Sequence, residues 1–478
     1  MILIPIFLAL FTWLLLLWLC DQHKYLNIFE QLVLWFVAAL ALFVFELFLQ
    51  GILLNHLSLL FPIITFAVLL GIFIYKSTKK IWYIKGIIDS IKINFIDIWQ
   101  QFSSLKSRKK YLSIAIVVYA LVKVVMVFSI NTHTPTFDED AVVGWDMKTK
   151  IFASTQSLVL DKSNPEYFGT DYGRYPFAGI TDTYFLLPYG GFVNGLSNII
   201  SALMYIFAIL LLFGIFLRKT NLFVAVLSWY GFISLPFVFI HGFGSYRNFP
   251  AGIFLFMFAF YLIDQLFHLE KDYWWNTKIL LPIILVWFLS SVTRNEWVML
   301  TGITFLSIVI LYHIFKKWKL KEFRCQLWPL IPVFIWYIIE KIIFSFYPMW
   351  TVLNTWGEVN ANLVNAFFTN ISQPGVFMAP LQQMFYHPDY ILLFPLLVIA
   401  LILFIVKYKK MKMIWIMLAV TIFLIFLFMF ILYANVQSLW LLTHYAFIRY
   451  PVSIVLFLIY TIVYVIYIGT KKDYGHWL

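Results

Sequence analysis

The 478-residue chain is 63% hydrophobic and only 12% charged, whereas a soluble domain is about 45–50% apolar and about 25% charged. That composition excludes a string of soluble domains, and the lack of ten-residue alternating segments argues against a transmembrane β-barrel. The net charge of +12 would suit nucleic acid, but the basic residues sit between long apolar runs, where they read as a topology signal, and no nucleic-acid partner is needed.

Apolar runs occupy 2–20, 30–50, 56–75, 111–130, 196–217, 221–240, 248–268, 278–293, 297–315, 326–346, 389–406, 413–433 and 447–469. Each is close to the roughly 20 residues that a helix needs to cross a bilayer. The expected fold is an all-α polytopic transmembrane bundle of about 13 spans. The first run has no basic residue before it and no small-residue cleavage site, so it reads as a span and not as a signal peptide. No internal repeat is visible, which weakens an inverted-repeat transporter reading.

Three parts follow along the chain. Residues 1–75 form a three-span amino-terminal segment. Residues 76–110 are strongly basic, with apolar positions at helical spacing, as in an amphipathic helix on an anionic membrane surface; a plain basic topogenic loop fits equally. Residues 111–478 carry ten runs and two long loops, 131–195 and 347–388. Cytoplasmic loops are enriched in Lys and Arg. Placing 76–110 inside and alternating from there puts 25 of the 34 basic residues on that side. The amino terminus is then outside, the carboxyl terminus cytoplasmic and both long loops external. The expected setting is the plasma membrane, and the abundance of Lys, Ile, Phe and Asn suggests an AT-rich prokaryotic gene. Cys20 and Cys325 fall at cytoplasmic ends of runs, so they offer neither an external disulfide framework nor a metal motif. Lys123, Glu46 and Glu340-Lys341 lie inside apolar runs and are expected as internal ion pairs or membrane-edge groups, with Lys123 alternatively facing a cavity.

The 131–195 loop holds eight of the chain's 22 acidic residues. Asp138-Glu139-Asp140 opens it just after the fourth run. Three adjacent carboxylates repel one another in a partly dry site, so at least one pKa should rise, giving a usable general base. A carboxylate pair can also hold a divalent cation through oxygen ligands. Capping of a following helix accounts for one Asp but not for three acids in a row. Lys148 and Lys150 follow on a side poor in positive charge, suited to a phosphate-bearing ligand or to ordinary interfacial snorkelling. Arg174-Tyr175-Pro176 lies where the loop returns to the membrane. Arg247 lies in the turn His241 to Asn248, Arg294-Asn295-Glu296 forms a third turn whose two charges fit mutual neutralisation near the bilayer equally, and Arg449-Tyr450-Pro451 starts the last run. Together they suit an outward-opening cavity with a general base beside a lipid-phosphate site. His133, His241, His387 and His444 are also external, but their spacing is no metal signature. The 347–388 loop is aromatic and amide-rich, with Trp350, Trp356, Asn360, Asn362, Asn365, Asn370, Gln382 and Gln383 available to stack on a sugar or hydrogen-bond an acceptor.

In these motifs the chain resembles the GT-C superfamily, polytopic glycosyltransferases that use polyprenyl-phosphate sugars and carry a catalytic Asp in the first external loop of their core. Protein O-mannosyltransferases and lipid A aminoarabinose transferases show an Asp-Glu there, like Asp138-Glu139. Another bacterial branch shows Asp-Ala, a Trp five residues after the Asp and then Lys-x-Lys, like Asp140-Ala141, Trp145 and Lys148-Thr149-Lys150. Its later Tyr-Pro resembles Tyr175-Pro176, its Lys/Arg-Asn-Glu turn resembles Arg294-Asn295-Glu296, and its late Arg-Tyr resembles Arg449-Tyr450. The resemblance covers about 111–460. It departs at Tyr246-Arg247-Asn248-Phe249-Pro250, where that branch has Tyr-x-Asp-x-Pro, so Asn248 supplies no acid. It departs again at Trp297, where a Gly usually follows the Asn-Glu.

The resemblance implies an inverting transfer of sugar from an undecaprenyl- or dolichyl-phosphate donor to a glycan, lipid or protein acceptor on the external face. Asp140 is the first choice for general base, with Asp138 second and Glu139 between them. Lys148, Lys150, Arg174, Arg247, Arg294 and Arg449 would stabilise the departing lipid phosphate. No cofactor is demanded, although the carboxylates can hold a divalent cation. Two other classes remain open. One is an external polymerase or ligase of lipid-linked glycans working through Arg and His. The other is a transporter or lipid flippase, which would want polar groups midway along its spans.

Overall fold

The computed structural model describes residues 1–20, 26–76, 80–134, 146–158, 177–244, 248–268, 277–292, 297–316, 361–373, 392–407, 412–435 and 451–470, with scattered positions between 338 and 390. The described residues are helical, with no strand among them. In chain order the helices are α1 (Leu3–Cys20), α2 (Ile28–Leu54), α3 (Leu60–Lys76), α4 (Lys80–Ser104), α5 (Ser107–His133), α6 (Asp146–Thr155), α7 (Phe177–Leu186), α8 (Ile199–Lys219) and α9 (Leu222–Ile233). They continue with α10 (Pro236–Phe243), α11 (Asn248–His268), α12 (Thr277–Val292), α13 (Trp297–Lys316), α14 (Ala361–Ile371), α15 (Leu393–Lys407), α16 (Lys412–Asn435) and α17 (Val455–Thr470).

Local chemistry sets several boundaries. Asn27 caps α2, its side-chain oxygen accepting the N–H groups of Phe29 and Glu30 at 3.1 Å each, and Asn221 caps α9 through the Val224 N–H. Such caps satisfy donors that have no partner inside the helix. Between α9 and α10 the chain bends by 74°. Pro236 occupies the first turn of α10, where its missing N–H costs nothing, but it cannot continue α9. The single run expected over 221–240 is therefore two helices.

Five helical stretches among the described residues, Ile28–Leu54, Ser107–His133, Asn194–Lys219, Asn248–Leu266 and Val452–Gly469, are long and apolar enough to cross a membrane, and the bent pair makes a sixth if it is one span. Six further apolar stretches, in α1, α3, α12, α13, α15 and α16, are shorter, at 10–17 residues. Every expected run except 326–346, which falls almost wholly outside the described residues, thus coincides with an apolar helix or helix pair. These helices are those of an integral membrane protein.

Burial separates centre from edge. Of the membrane-crossing stretch of α11, 89% is buried, against 22% for that of α5, which shows Tyr111, Leu121 and Val125 to its surroundings. In lipid such apolar exposure carries no penalty, and association rests on close packing and polar contacts. Gly214 of α8 provides one close approach, since a Cβ there would lie 2.8 Å from both Asn27 Oδ1 and Glu30 Cγ.

At that contact Arg218 and Lys219, two of the basic residues that alternation places on the cytoplasmic side, are ion-paired. Arg218 Nε and Nη2 each donate to Glu30 at 2.8 Å. Arg218 Nη1 lies 2.8 Å from Asp264 Oδ2, and Lys219 Nζ lies 2.6 Å from Asp264 Oδ1. The four charges join α2, α8 and α11 at one end of the bundle. Of the charges singled out within the apolar runs, Lys123 and Glu46 fall among the described residues. Among the described residues Lys123 makes no ion pair; its Nζ stands 3.9 Å from the centre of the Phe239 ring. Glu46 accepts a hydrogen bond from Thr65 Oγ1 at 2.5 Å. Glu340 and Lys341 lie outside the described residues.

Candidate active site at the loop-bearing end

The opposite end of the bundle is closed by the described parts of the 131–195 loop. α6 and α7 pack on each other tightly enough that a Cβ on Gly179 would come within 3.3 Å of Lys148 Cβ and 3.1 Å of the Phe152 ring. Backbone and side-chain bonds then tie the loop to several helix ends. Tyr184 Oη donates to the Pro5 carbonyl at 2.8 Å, and the Ile2 N–H reaches Tyr189 Oη at 3.0 Å. The Leu57 N–H donates to the Gln156 carbonyl at 2.6 Å. The amino terminus, the α2–α3 turn and the 131–195 loop thus share one end, as alternation of the runs requires. Tyr184 is fully enclosed there, and burial, with the Glu46 carboxylate as the lesser cause, holds its phenol well above its ordinary pKa.

Within this cap lies a cluster of buried polar side chains: Asp146, Lys148, Thr149, Thr181, Asp182 and Ser197. Ser197 Oγ donates to Asp146 Oδ2 at 3.3 Å, and Thr149 Oγ1 donates to Asp182 Oδ2 at 3.5 Å. One residue further on, the Asn198 carbonyl accepts from Asn131 Nδ2 at 2.9 Å. Asn131 is near the end of α5 and Asp146 begins α6. The two anchors that bracket segment 135–145, the carrier of Asp138-Glu139-Asp140, therefore meet on consecutive residues.

Charged groups buried in apolar surroundings cost free energy unless paired, so a fold does not collect two carboxylates and a lysine without compensation. Such a cluster in a membrane protein is a candidate functional site. Lys148 is 3% exposed whereas Lys150 is exposed. Residues two apart on a helix face different ways: Lys148 is enclosed with the cluster, and Lys150 stands on an exposed face.

Other expected site residues fall as follows. Asn248 is buried at the start of α11, its carbonyl accepting from Ser453 Oγ at 3.2 Å. That bond joins the start of α11 to the Pro451–Ile454 turn that leads into α17. His241 is buried on α10, with Nδ1 donating to the Phe237 carbonyl at 2.7 Å. Asp138, Glu139, Asp140, Trp145, Arg174, Tyr175, Tyr246, Arg247, Arg294, Glu296 and Arg449 lie outside the described residues. So do the two tryptophans of the 347–388 loop, while its residues 361–371 form α14. Among the described residues no three His, Cys, Asp or Glu side chains converge as a metal centre.

Asp182, Thr149, Ser197 and Asn131 were not singled out from the sequence. Thr181-Asp182-Thr183 is nevertheless a polar triplet inside the apolar run FAGITDTYFL, and Asp146 and Thr149 are spaced for one helix face. Both are signals that a search confined to adjacent acids passes over. Compared with known proteins, the chain matches no family model, no curated protein and no solved structure.

Proposed function

We propose that this protein is a membrane glycosyltransferase that moves a sugar from a polyprenyl-phosphate donor to an acceptor hydroxyl at the loop-bearing end. By the charge asymmetry of the loops, that end is extracytoplasmic. The observation that carries the reading is the meeting of the two anchors of segment 135–145 on Ser197 and Asn198, beside the enclosed Lys148 and Asp182. It brings the described flanks of the acid-rich segment, Asn131 and Asp146, together near an enclosed cation.

In the proposed reaction Asp140 takes the proton from the acceptor hydroxyl, with Asp138 as the alternative base. The freed oxygen attacks the anomeric carbon, and the bond from that carbon to the phosphate oxygen breaks with inversion. The lipid phosphate leaves with the bonding electron pair, and its negative charge is met by Lys148 with arginines from 174, 247, 294 and 449. A buried, preplaced cation is worth more there than one in water.

The test is sugar release from a panel of polyprenyl-phosphate sugars in proteoliposomes, with Asp140→Asn and Asp138→Asn beside the wild-type chain. Turnover lost on one substitution identifies the base. Turnover indifferent to both, or absent with every donor, sinks the reading and favours a glycan ligase or a flippase.

A further inference from the structure

A second feature lies at the other end of the bundle and is independent of the transferase reading. Between α4, α5, α8 and α9 is a cavity of about 370 Å³, within the range of about 300–1,000 Å³ typical of small-molecule sites. Its walls include Trp99 and Phe102 of α4, Val117 of α5, Phe213 of α8 and Trp229 of α9. The wall is tied in place, because the Leu222 N–H at the start of α9 donates to Gln101 Oε1 of α4 at 2.8 Å. Trp99 and Val118 at its edge are strongly exposed, so the cavity opens towards the side where lipid chains would lie.

One wall residue is out of character. Ser113 is 2% exposed, and its Oγ has no hydrogen-bond partner among the described residues. A buried hydroxyl without a partner is costly and calls for a bound acceptor or donor. One turn before it, α5 begins with Lys106, Arg108, Lys109 and Lys110 around its first turn, with no acidic residue there and no side-chain cap. Positive charge at a helix amino terminus opposes the helix dipole, so these residues do not serve the stability of α5. The first turn of such a helix, with lysine side chains beside it, attracts phosphate. Lys110 Nζ lies 6.0 Å from the centre of the Phe102 ring, which lines the cavity, and Lys109 Nζ lies 4.9 Å from that of Phe223, the neighbour of lining residue Leu222.

We propose that this cavity is a specific site for an anionic phospholipid, holding an acyl chain against α4 and α9 with the ester region at Ser113 and the phosphate at Lys109 and Lys110. The occupant comes from the leaflet around the basic end of the bundle. Charge complementarity selects it over a zwitterionic lipid, and the apolar walls select it over a free phosphate.

The full chain, purified and reconstituted, is photolabelled with phosphatidylglycerol carrying a diazirine in its acyl chain, in parallel with the phosphatidylcholine analogue. The expected result is saturable labelling of α4 and α9 peptides by the anionic probe. Unlabelled phosphatidylglycerol should compete, and phosphatidylcholine and inorganic phosphate should not. Replacing Lys109 or Lys110 with Ser should weaken labelling about fivefold for each lysine, the effect of one basic residue near an anionic headgroup. Ser113→Phe, which fills the cavity, should remove it. Equal labelling by both lipids, labelling scattered over all lipid-facing helices, or indifference to the lysine changes would overturn the proposal. The Lys109 variant alters an exposed residue, so it remains decisive if Ser113→Phe fails to fold.

Discussion

Arg218 meets Glu30 through two parallel hydrogen bonds, Nε to Oε2 and Nη2 to Oε1, each 2.8 Å long, with the Glu30 side chain fully enclosed. This fork geometry is the strong form of the Arg–carboxylate contact. It spans residues 188 positions apart in the chain and brings the start of α2 to the end of α8.

Replacing Glu30 with Gln should therefore lower stability by about 3 kcal/mol, the lower end of the range for breaking a buried ion pair, because Arg218 keeps Asp264. The midpoint of thermal unfolding in detergent would show it. Replacing Asp264 with Asn and Lys219 with Met together should cost less than Asp264→Asn alone, since the double change leaves no unpaired lysine. Equal losses would mean that the network contributes nothing as a unit.

The two lysines of α6 should behave differently. Lys148→Met should reduce donor turnover by about 10²-fold, as loss of a preplaced charge-stabilising group does, whereas Lys150→Met should leave it within about twofold, because an exposed charge is screened. The measurement is kcat/KM for both variants with any donor that the wild-type chain accepts. An unfolding curve run in parallel separates a catalytic loss from a folding loss.

Gly179→Ala should cost about 1–3 kcal/mol, the usual penalty of overpacking, because its Cβ would press on Phe152 and on Lys148. The same change should move Lys148 and lower turnover with little change in donor affinity. A variant as stable and as active as the wild-type chain would show that the α6–α7 contact is looser than its geometry indicates.

Sidedness is checked by cysteine labelling in intact cells, with Cys20 and Cys325 first replaced by Ser. His56→Cys and Asn194→Cys lie at exposed positions of the loop-bearing end and should react with an impermeant maleimide from outside. Arg108→Cys should react only after lysis. The reverse pattern would invert the topology and remove the extracytoplasmic site.

The sequence reading was strongest where a single chain property decides the outcome. The length and apolarity of the runs located apolar helices, although the run over 221–240 is two of them, and residues 80–104 form a helix where helix and loop fitted the sequence equally. Partnership was illegible. Arg218 and Lys219 look like any basic pair at a membrane edge, and only the approach of α2 and α11 brings Glu30 and Asp264 to them. The separate fates of Lys148 and Lys150 likewise depend on which face of α6 meets α7, which a loop of unknown path does not reveal. Asp146 was visible as one acid among eight, but its link to Ser197, 51 positions away, required the fold.

The corner between α9 and α10 has a consequence for motion. Where a helix breaks inside a bilayer, its last carbonyls face hydrocarbon unless protein covers them. Here Phe232, Ile233, Leu235 and Phe237 around the corner are all buried, so straightening or swinging the joint would strip that cover. The packing of these four side chains opposes motion at the joint. The direction of α10, and with it the ring of His241, is set by the Pro236 break and the buried flanks of the corner and not by a loop.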